Sequence, residues 1–93
     1  MQHWPYSFLL SIYMKEQPQY LREALDSILA QTVGPSEIVM VKDGPLTLEL
    51  DAVLDEYDSA NPGLFKFVAY DENRGLGYAL SRGILACSNE IVA

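Results

Sequence analysis

Four short apolar runs alternate along the chain with longer segments in which apolar residues recur every three or four positions. The runs cover residues 6–13, 38–41, 65–70 and 90–92. Short, mostly apolar runs bounded by polar, Gly and Pro residues are typical of strands buried in a sheet. Lys66 interrupts the third run and favours a place near the edge of that sheet.

The three segments between the runs carry the spacing of amphipathic helices. Pro18 suits the first turn of the first helix, and Pro45 could open the second in the same way. The third segment pairs a stripe of larger apolar residues with a face of small ones, Ala79 and Gly83. The predicted stripes are Leu21, Ala24, Leu25, Ile28 and Leu29; then Leu50, Val53, Leu54 and Tyr57; then Leu76, Leu80, Ile84 and Cys87.

The resulting order is β-α-β-α-β-α-β, with about 25–30 residues in each strand–helix unit, as expected for parallel strands with right-handed crossovers. The sequence therefore predicts an α/β protein with a Rossmann-like parallel sheet between two layers of helices. Its 93 residues are enough for one small domain, residues 1–93.

The formal net charge of −7 narrows the choice of partners. An acidic chain repels phosphate backbones, which argues against nucleic acid as a partner. The same charge opposes an anionic nucleotide, which would need a metal ion or local backbone donors. The single cysteine, Cys87, excludes an intramolecular disulfide and a multi-cysteine metal site. With no signal-peptide pattern and no membrane-length apolar run, the chain is predicted to be cytoplasmic, either free or peripheral to the cytoplasmic face of the membrane.

Candidate chemistry follows from the topology, since ligands of such sheets bind at the carboxyl ends of the strands. Ser11 and Tyr13 end the first run, and Asp43 follows the second. Each has a structural alternative: Ser11 could satisfy backbone groups, Tyr13 could lie in the core or its rim, and Asp43 could cap a helix or turn. In the polar loop 71–77, Arg74 could pair with a phosphate or be a solvated charge. Gly75 could let the backbone approach a ligand or ease a helix entry.

Several common catalytic and nucleotide-binding motifs are missing from the sequence. Residues 75–80 contain a Gly-x-Gly, but they lack the third small residue of the dinucleotide fingerprint and follow the third strand. No Walker loop, zinc-protease helix motif or nucleophile elbow occurs.

Three phrases in a fixed order carry a specific resemblance. They are "SILAQT", "EIVMVKDG" and "NRGLGYALSRG". Together with the first strand and the final "SNEIVA", they resemble the start of the family 2 glycosyltransferases, which are inverting enzymes with a GT-A fold. The resemblance covers roughly residues 6–93. Met14, Lys42 and Ser81 depart from the family's usual residues.

The resemblance implies roles for individual residues. Ser11 and Tyr13 match positions that contact the nucleotide of a nucleotide-diphosphate sugar, most often a uridine one. Asp43 matches the aspartate that recognises the base. Arg74 and Gly75 match the loop beside the nucleotide. In the family, an Asp-x-Asp motif after the fourth strand holds a divalent metal, Mg²⁺ or Mn²⁺, and a general base follows later.

We therefore expect the N-terminal part of a GT-A domain, cut in its fourth strand, from an inverting glycosyltransferase that acts on a glycan or lipid-linked acceptor. By itself the chain is expected to lack catalytic residues, a metal site and activity. Two alternatives remain open: a stand-alone nucleotide-binding module and a protein-interaction module. An uncovered sheet edge and exposed apolar helix faces would favour self-association.

Overall fold

A parallel sheet with helices on both faces forms the framework of the protein. The computed structural model describes residues 5–92, and the sheet order is β3-β2-β1-β4. The predicted element order and the Rossmann-like α/β/α arrangement are confirmed. The elements are β1 (Tyr6–Ile12), α1 (Pro18–Leu29), β2 (Glu37–Lys42), α2 (Leu48–Ala60), β3 (Phe65–Ala69), α3 (Leu76–Ala86) and β4 (Glu90–Val92).

The two faces of the sheet bury separate apolar clusters. Side chains alternate between faces along each strand. On β1, Ile12 therefore packs with α1 and α2, whereas Leu9, three positions earlier, packs under α3. The α1–α2 cluster is the larger one and contains Leu25, Met40 and Leu54 among its fully buried members. The smaller cluster lies between α3 and the strands β1 and β2, which end at the predicted site.

β2 is the central strand of the core, since Ile38, Val39, Met40 and Val41 are all fully buried. It pairs with β1 on one side and β3 on the other. β3 is an edge strand of the described sheet, as Lys66 predicted. The Lys66 ammonium leaves the sheet and donates to the carbonyl oxygen of Ala86 at 2.8 Å.

Helix α2 begins at Leu48 and not at Pro45, which corrects one sequence expectation. Thr47 is the N-cap, and its hydroxyl accepts a hydrogen bond from the Leu50 N–H at 3.2 Å. Glu49 and Asp51 in the first turn complement the positive end of the helix dipole. A capping hydroxyl satisfies a free N–H, which proline at an earlier position cannot do, so Thr47 sets the start.

The predicted apolar stripe of α3 is also wrong in part. Leu76 and Ile84 are exposed at 64% and 51%, whereas Ala79 and Gly83 are the buried residues. A Cβ on Gly83 would lie 2.3 Å from Leu9 Cδ1 and 2.9 Å from Val41 Cγ2. The helix backbone therefore sits directly on the sheet, and only the small-residue face fits there.

A polar network at the amino ends of the strands joins β4 to the rest of the sheet. Ser7 is fully buried, donates to the Glu37 carboxylate and accepts from the Asn89 N–H at 3.1 Å. The Ser88 N–H also donates to Glu37. The Ser7 hydrogen bond lowers the pKa of Glu37 despite the opposing effect of burial. These bonds fix the register in which Ser7 lies beside Ile91.

No helix among the described residues is both long enough and apolar enough to cross a membrane.

Two substitutions in α3 test the close helix–sheet contact. Gly83→Ala should lower the free energy of unfolding by about 1 kcal/mol, because overpacking costs more than the gain in helix propensity. Gly77→Ala adds the same methyl group to the same helix where nothing lies within 4 Å. It should raise stability by up to about 1 kcal/mol. Urea unfolding measures both, and equal effects would contradict the packing argument.

Candidate functional site

A pocket opens where the carboxyl ends of β1 and β2 meet the loop between β3 and α3. Its volume is about 310 Å³. This is the position at which parallel α/β sheets bind ligands. The lining residues come from all three segments: Ser11, Ile12, Tyr13, Glu16, Asp43, Asn73, Gly75 and Leu76.

The end of β2 places Asp43 at the floor of the site. Its backbone N–H donates to the carbonyl oxygen of Ile12 at 2.8 Å, which holds the two strand ends together. Gly44 then turns the chain with a φ of +83°, a conformation that residues with a side chain rarely adopt. A Cβ on Gly44 would lie only 2.6 Å from the backbone nitrogen of Asn73. Glycine is therefore required for the loop to approach Asp43.

The Asp43 carboxylate organises this loop. It is 5% exposed and accepts four hydrogen bonds, two on each oxygen. Oδ1 accepts from the Tyr70 hydroxyl and the Arg74 N–H, both at 2.8 Å. Oδ2 accepts from the Gly75 N–H at 3.0 Å and from the Asn73 side-chain amide at 3.2 Å. A buried carboxylate is tolerated here because every lone pair has a donor.

These bonds also set the ionisation of the site. Burial alone would raise the pKa of Asp43, but the hydrogen bonds from Arg74, Tyr70 and Gly75 outweigh it and lower the pKa below its usual value. For Tyr70, burial together with the bond to Asp43 raises the pKa to about 12. At neutral pH the pair is thus a carboxylate that only accepts and a phenol that donates.

Tyr13 and Ser11, from the end of β1, also line the pocket. Tyr13 is 44% exposed just beyond the end of β1, so its ring is available to a ligand and does not belong to the core. Its carbonyl oxygen accepts from the Glu16 N–H at 3.0 Å, and this turn brings the half-buried Glu16 to the rim. Ser11 is half-buried and paired with Val41 of β2. An ionised acceptor, a hydroxyl and an aromatic face therefore share one cavity, a combination suited to a nucleobase and its sugar.

A family model described as Glycosyl transferase family 2 matches residues 7–93. The chain belongs to this family. The resemblance seen in the three sequence phrases is confirmed.

Individual proteins similar to this chain are also named as glycosyltransferases. An uncharacterised glycosyltransferase of Haemophilus influenzae is 45% identical over 87 residues, which cover 94% of this chain and 32% of that protein. The UDP-Gal:alpha-D-GlcNAc-diphosphoundecaprenol beta-1,3-galactosyltransferase of Escherichia coli is 38% identical, with 94% and 31% covered. An amylovoran biosynthesis glycosyltransferase of Erwinia amylovora is 39% identical, with 95% and 32% covered. The chain spans about a third of the length of these relatives.

Four of the five site residues suggested by the sequence, Ser11, Tyr13, Asp43 and Gly75, line the pocket of this family member. Arg74 is placed differently. Its backbone N–H holds Asp43, but its guanidinium is half-exposed, 3.7 Å from Glu72 and 5.2 Å from the centre of the Tyr78 ring. An exposed ion pair of this kind contributes little to stability.

Four lining residues were not among the predicted site residues: Ile12, Glu16, Asn73 and Leu76. Tyr70 was not predicted either; it does not line the pocket, but its hydroxyl donates to Asp43. Asn73 and Leu76 carried a signal, because both belong to the "NRGLG" phrase. Glu16 and Tyr70 could not be found from local pattern, since their roles depend on which strand ends become neighbours.

The described residues do not fit a divalent metal ion. No group of three or more His, Cys, Asp or Glu side chains within residues 5–92 could hold one. Both oxygens of Asp43 accept hydrogen bonds from the protein. Residues 5–92 therefore do not form a metal site of this kind by themselves.

A pair of glycine substitutions tests whether the β2 turn and the loop are locked together. Gly44→Ala should destabilise the protein by more than about 2 kcal/mol, since strain at positive φ adds to a clash with backbone. Gly63→Ala is the control, because Gly63 has a φ of +82° but open space around it. It should cost only about 1 kcal/mol. Equal losses in urea unfolding would show that the contact with Asn73 does not matter.

Proposed function

We propose that the protein transfers a sugar from a nucleotide-diphosphate sugar, a UDP-sugar in our assignment, to an acceptor hydroxyl. The described chain would supply the nucleotide half of the donor site. The observation that carries this proposal is the pocket at the strand ends, which Asp43 and Tyr13 line together in a chain of glycosyl transferase family 2.

Each pocket residue has a role that its chemistry supports. The Asp43 carboxylate accepts the N–H of the base, since it is held ionised. The exposed ring of Tyr13 stacks on the base, and the hydroxyl of Ser11 bonds the nucleotide. Gly75 brings its backbone to the pocket rim without a side chain, at a φ of +90°. Arg74 contributes through its N–H to Asp43, and its guanidinium can meet a phosphate only by leaving Glu72 and Tyr78.

The pocket lining carries no positively charged side chain that could bind a diphosphate. The residues lining the pocket include Glu16 and Asp43 but neither Lys nor Arg, and the chain's formal charge is −7. A diphosphate in such surroundings needs a cation from elsewhere. We assign this part to Mg²⁺ or Mn²⁺, held by carboxylates outside residues 5–92. Such an ion would offset charge on the diphosphate leaving group.

The proposed reaction is a single displacement with inversion. The acceptor oxygen forms a bond to the anomeric carbon while the bond from that carbon to the diphosphate breaks. A general base outside the described residues takes the acceptor proton. For the acceptor we propose a glycan or lipid-linked sugar, in the cytoplasm or on its membrane face. The printed name of the Escherichia coli relative, which cites a diphosphoundecaprenol-linked acceptor, supports this choice.

The alternatives of a stand-alone nucleotide-binding or protein-interaction module are not favoured, because the family match covers nearly the whole chain. Self-association stays a prediction. It is motivated by exposed apolar residues on α3, including Leu85 at 83% exposure.

Nucleotide binding tests the proposal. Addition of a uridine nucleotide, measured with and without Mg²⁺, should shift the backbone amide NMR signals of Tyr13, Asp43 and Gly75. Asp43→Asn should weaken binding by about tenfold or more, because a bond to a charged acceptor is lost. Asp55→Asn, the same change at an exposed site on α2, should leave it unchanged. The absence of any shift at millimolar nucleotide would refute the assignment of this pocket.

We also expect residues 1–93 alone to show no sugar transfer, because residues 5–92 hold no metal cluster. A radiolabelled UDP-sugar assay with Mg²⁺ or Mn²⁺ and lipid-linked acceptors measures this. Transfer by the purified chain, lost on Asp43→Asn, would overturn the division between a nucleotide half-site and a separate catalytic part.

A further inference from the structure

The two oxygens of the Asp43 carboxylate have different surroundings. Both donors to Oδ2, Asn73 and Gly75, belong to residues that line the pocket. Neither donor to Oδ1, the Tyr70 hydroxyl or the Arg74 N–H, does so. Oδ2 is therefore the oxygen on the ligand side, and Oδ1 is the oxygen by which the protein holds the group.

From this division we propose that Tyr70 is a positioning residue for nucleotide recognition, acting through Oδ1 to keep Oδ2 of Asp43 directed into the pocket. The inference rests on the proposed function for the identity of the ligand. It assigns a role to a residue that does not touch the ligand.

Three features make Tyr70 suited to this role. Its hydroxyl lies 2.8 Å from Oδ1, a short bond to an ionised acceptor. Its ring is fixed by an edge contact with the Tyr78 ring, at 5.0 Å between centres and 89° between planes. It also follows directly after β3, so the sheet determines where its hydroxyl lies. A donor on a rigid element positions its acceptor more sharply than one on a loop.

Oδ2 must also exchange a partner when a base binds. A carboxylate oxygen has two lone-pair sites, and Oδ2 already uses both. The Asn73 amide is the longer of its two bonds at 3.2 Å, and it has a second acceptor, the Asp43 carbonyl oxygen, at 3.3 Å. Asn73 can therefore yield Oδ2 to a base N–H and keep the other bond. During that exchange, the two bonds to Oδ1 keep the carboxylate from rotating.

The test compares Tyr70→Phe with Tyr78→Phe in the full-length protein. Both remove one phenol hydroxyl from the same aromatic pair, but only Tyr70 bonds Asp43. Tyr70→Phe should weaken uridine diphosphate binding by up to about tenfold, and Tyr78→Phe should leave it unchanged. Thermal unfolding of both variants checks that the fold is retained.

A spectroscopic readout separates positioning from simple loss of packing. The Tyr70 bond is one of those that lower the pKa of Asp43. Its removal should raise that pKa, so the ionised form, and with it nucleotide binding, should be lost at a higher pH than in the wild type. The ¹³C signal of the Asp43 carboxyl, assigned by its absence in Asp43→Asn, reports the titration directly. The other ionisable groups around the site are identical in the wild type and Tyr70→Phe; they are Tyr13, Glu16, Glu72, Arg74, Tyr78 and Arg82.

The outcomes are distinct. Weaker binding with a raised Asp43 pKa supports the positioning role. An unchanged carboxyl titration in Tyr70→Phe overturns it, whatever happens to affinity. If the wild type fails to bind any uridine nucleotide, the proposed function is refuted, while the titration in the ligand-free protein still decides whether Tyr70 controls Asp43.

Discussion

The buried carboxylate of Asp43 is the constraint on which the site depends. A negative charge at 5% exposure is stable only because four donors surround it, and those donors belong to the residues after β3. The same four bonds therefore solvate the charge and close the β3–α3 loop over the end of β2, and the bonds from Arg74, Tyr70 and Gly75 keep the pKa of the group low. Gly44 is part of this arrangement, because its missing side chain leaves room for the backbone of Asn73.

The packing of α3 on the sheet brings the β3–α3 loop to the ends of β1 and β2. Helix α3 rests on β1 and β2 through Ala79 and Gly83, with Leu9 directly below the glycine. Close contact between helix backbone and sheet fixes the start of α3 relative to the ends of β1 and β2. At the opposite end of the strands, the buried Ser7 and its bonds to Glu37 and Asn89 hold β4 against β1. The binding end and the anchoring end of the sheet are thus separate.

The charges of the pocket lining suit some parts of a nucleotide and not others. In the proposed function, Asp43 supplies the acceptor and Tyr13 the aromatic face that recognition of a base needs. Neutralisation of a diphosphate needs positive charge, which the pocket lining does not contain. The guanidinium of Arg74 lies outside it, over the Tyr78 ring. The chain spans about a third of the length of its relatives, and the proposed function assigns the positive charge to a cation held by residues outside the described part of the chain.

The sequence by itself determined the order of elements, the parallel sheet, the edge position of β3 and the family. These follow from periodicity and from three local phrases, which are short-range features. It did not determine that α3 buries Ala79 and Gly83 in place of Leu76 and Ile84, because apolar spacing cannot tell how closely a helix approaches a sheet. Nor did it reveal the bond from Tyr70 to Asp43, 27 positions apart. That contact exists only once β2 and β3 are paired, so the tertiary structure alone decided which side chains share the charge.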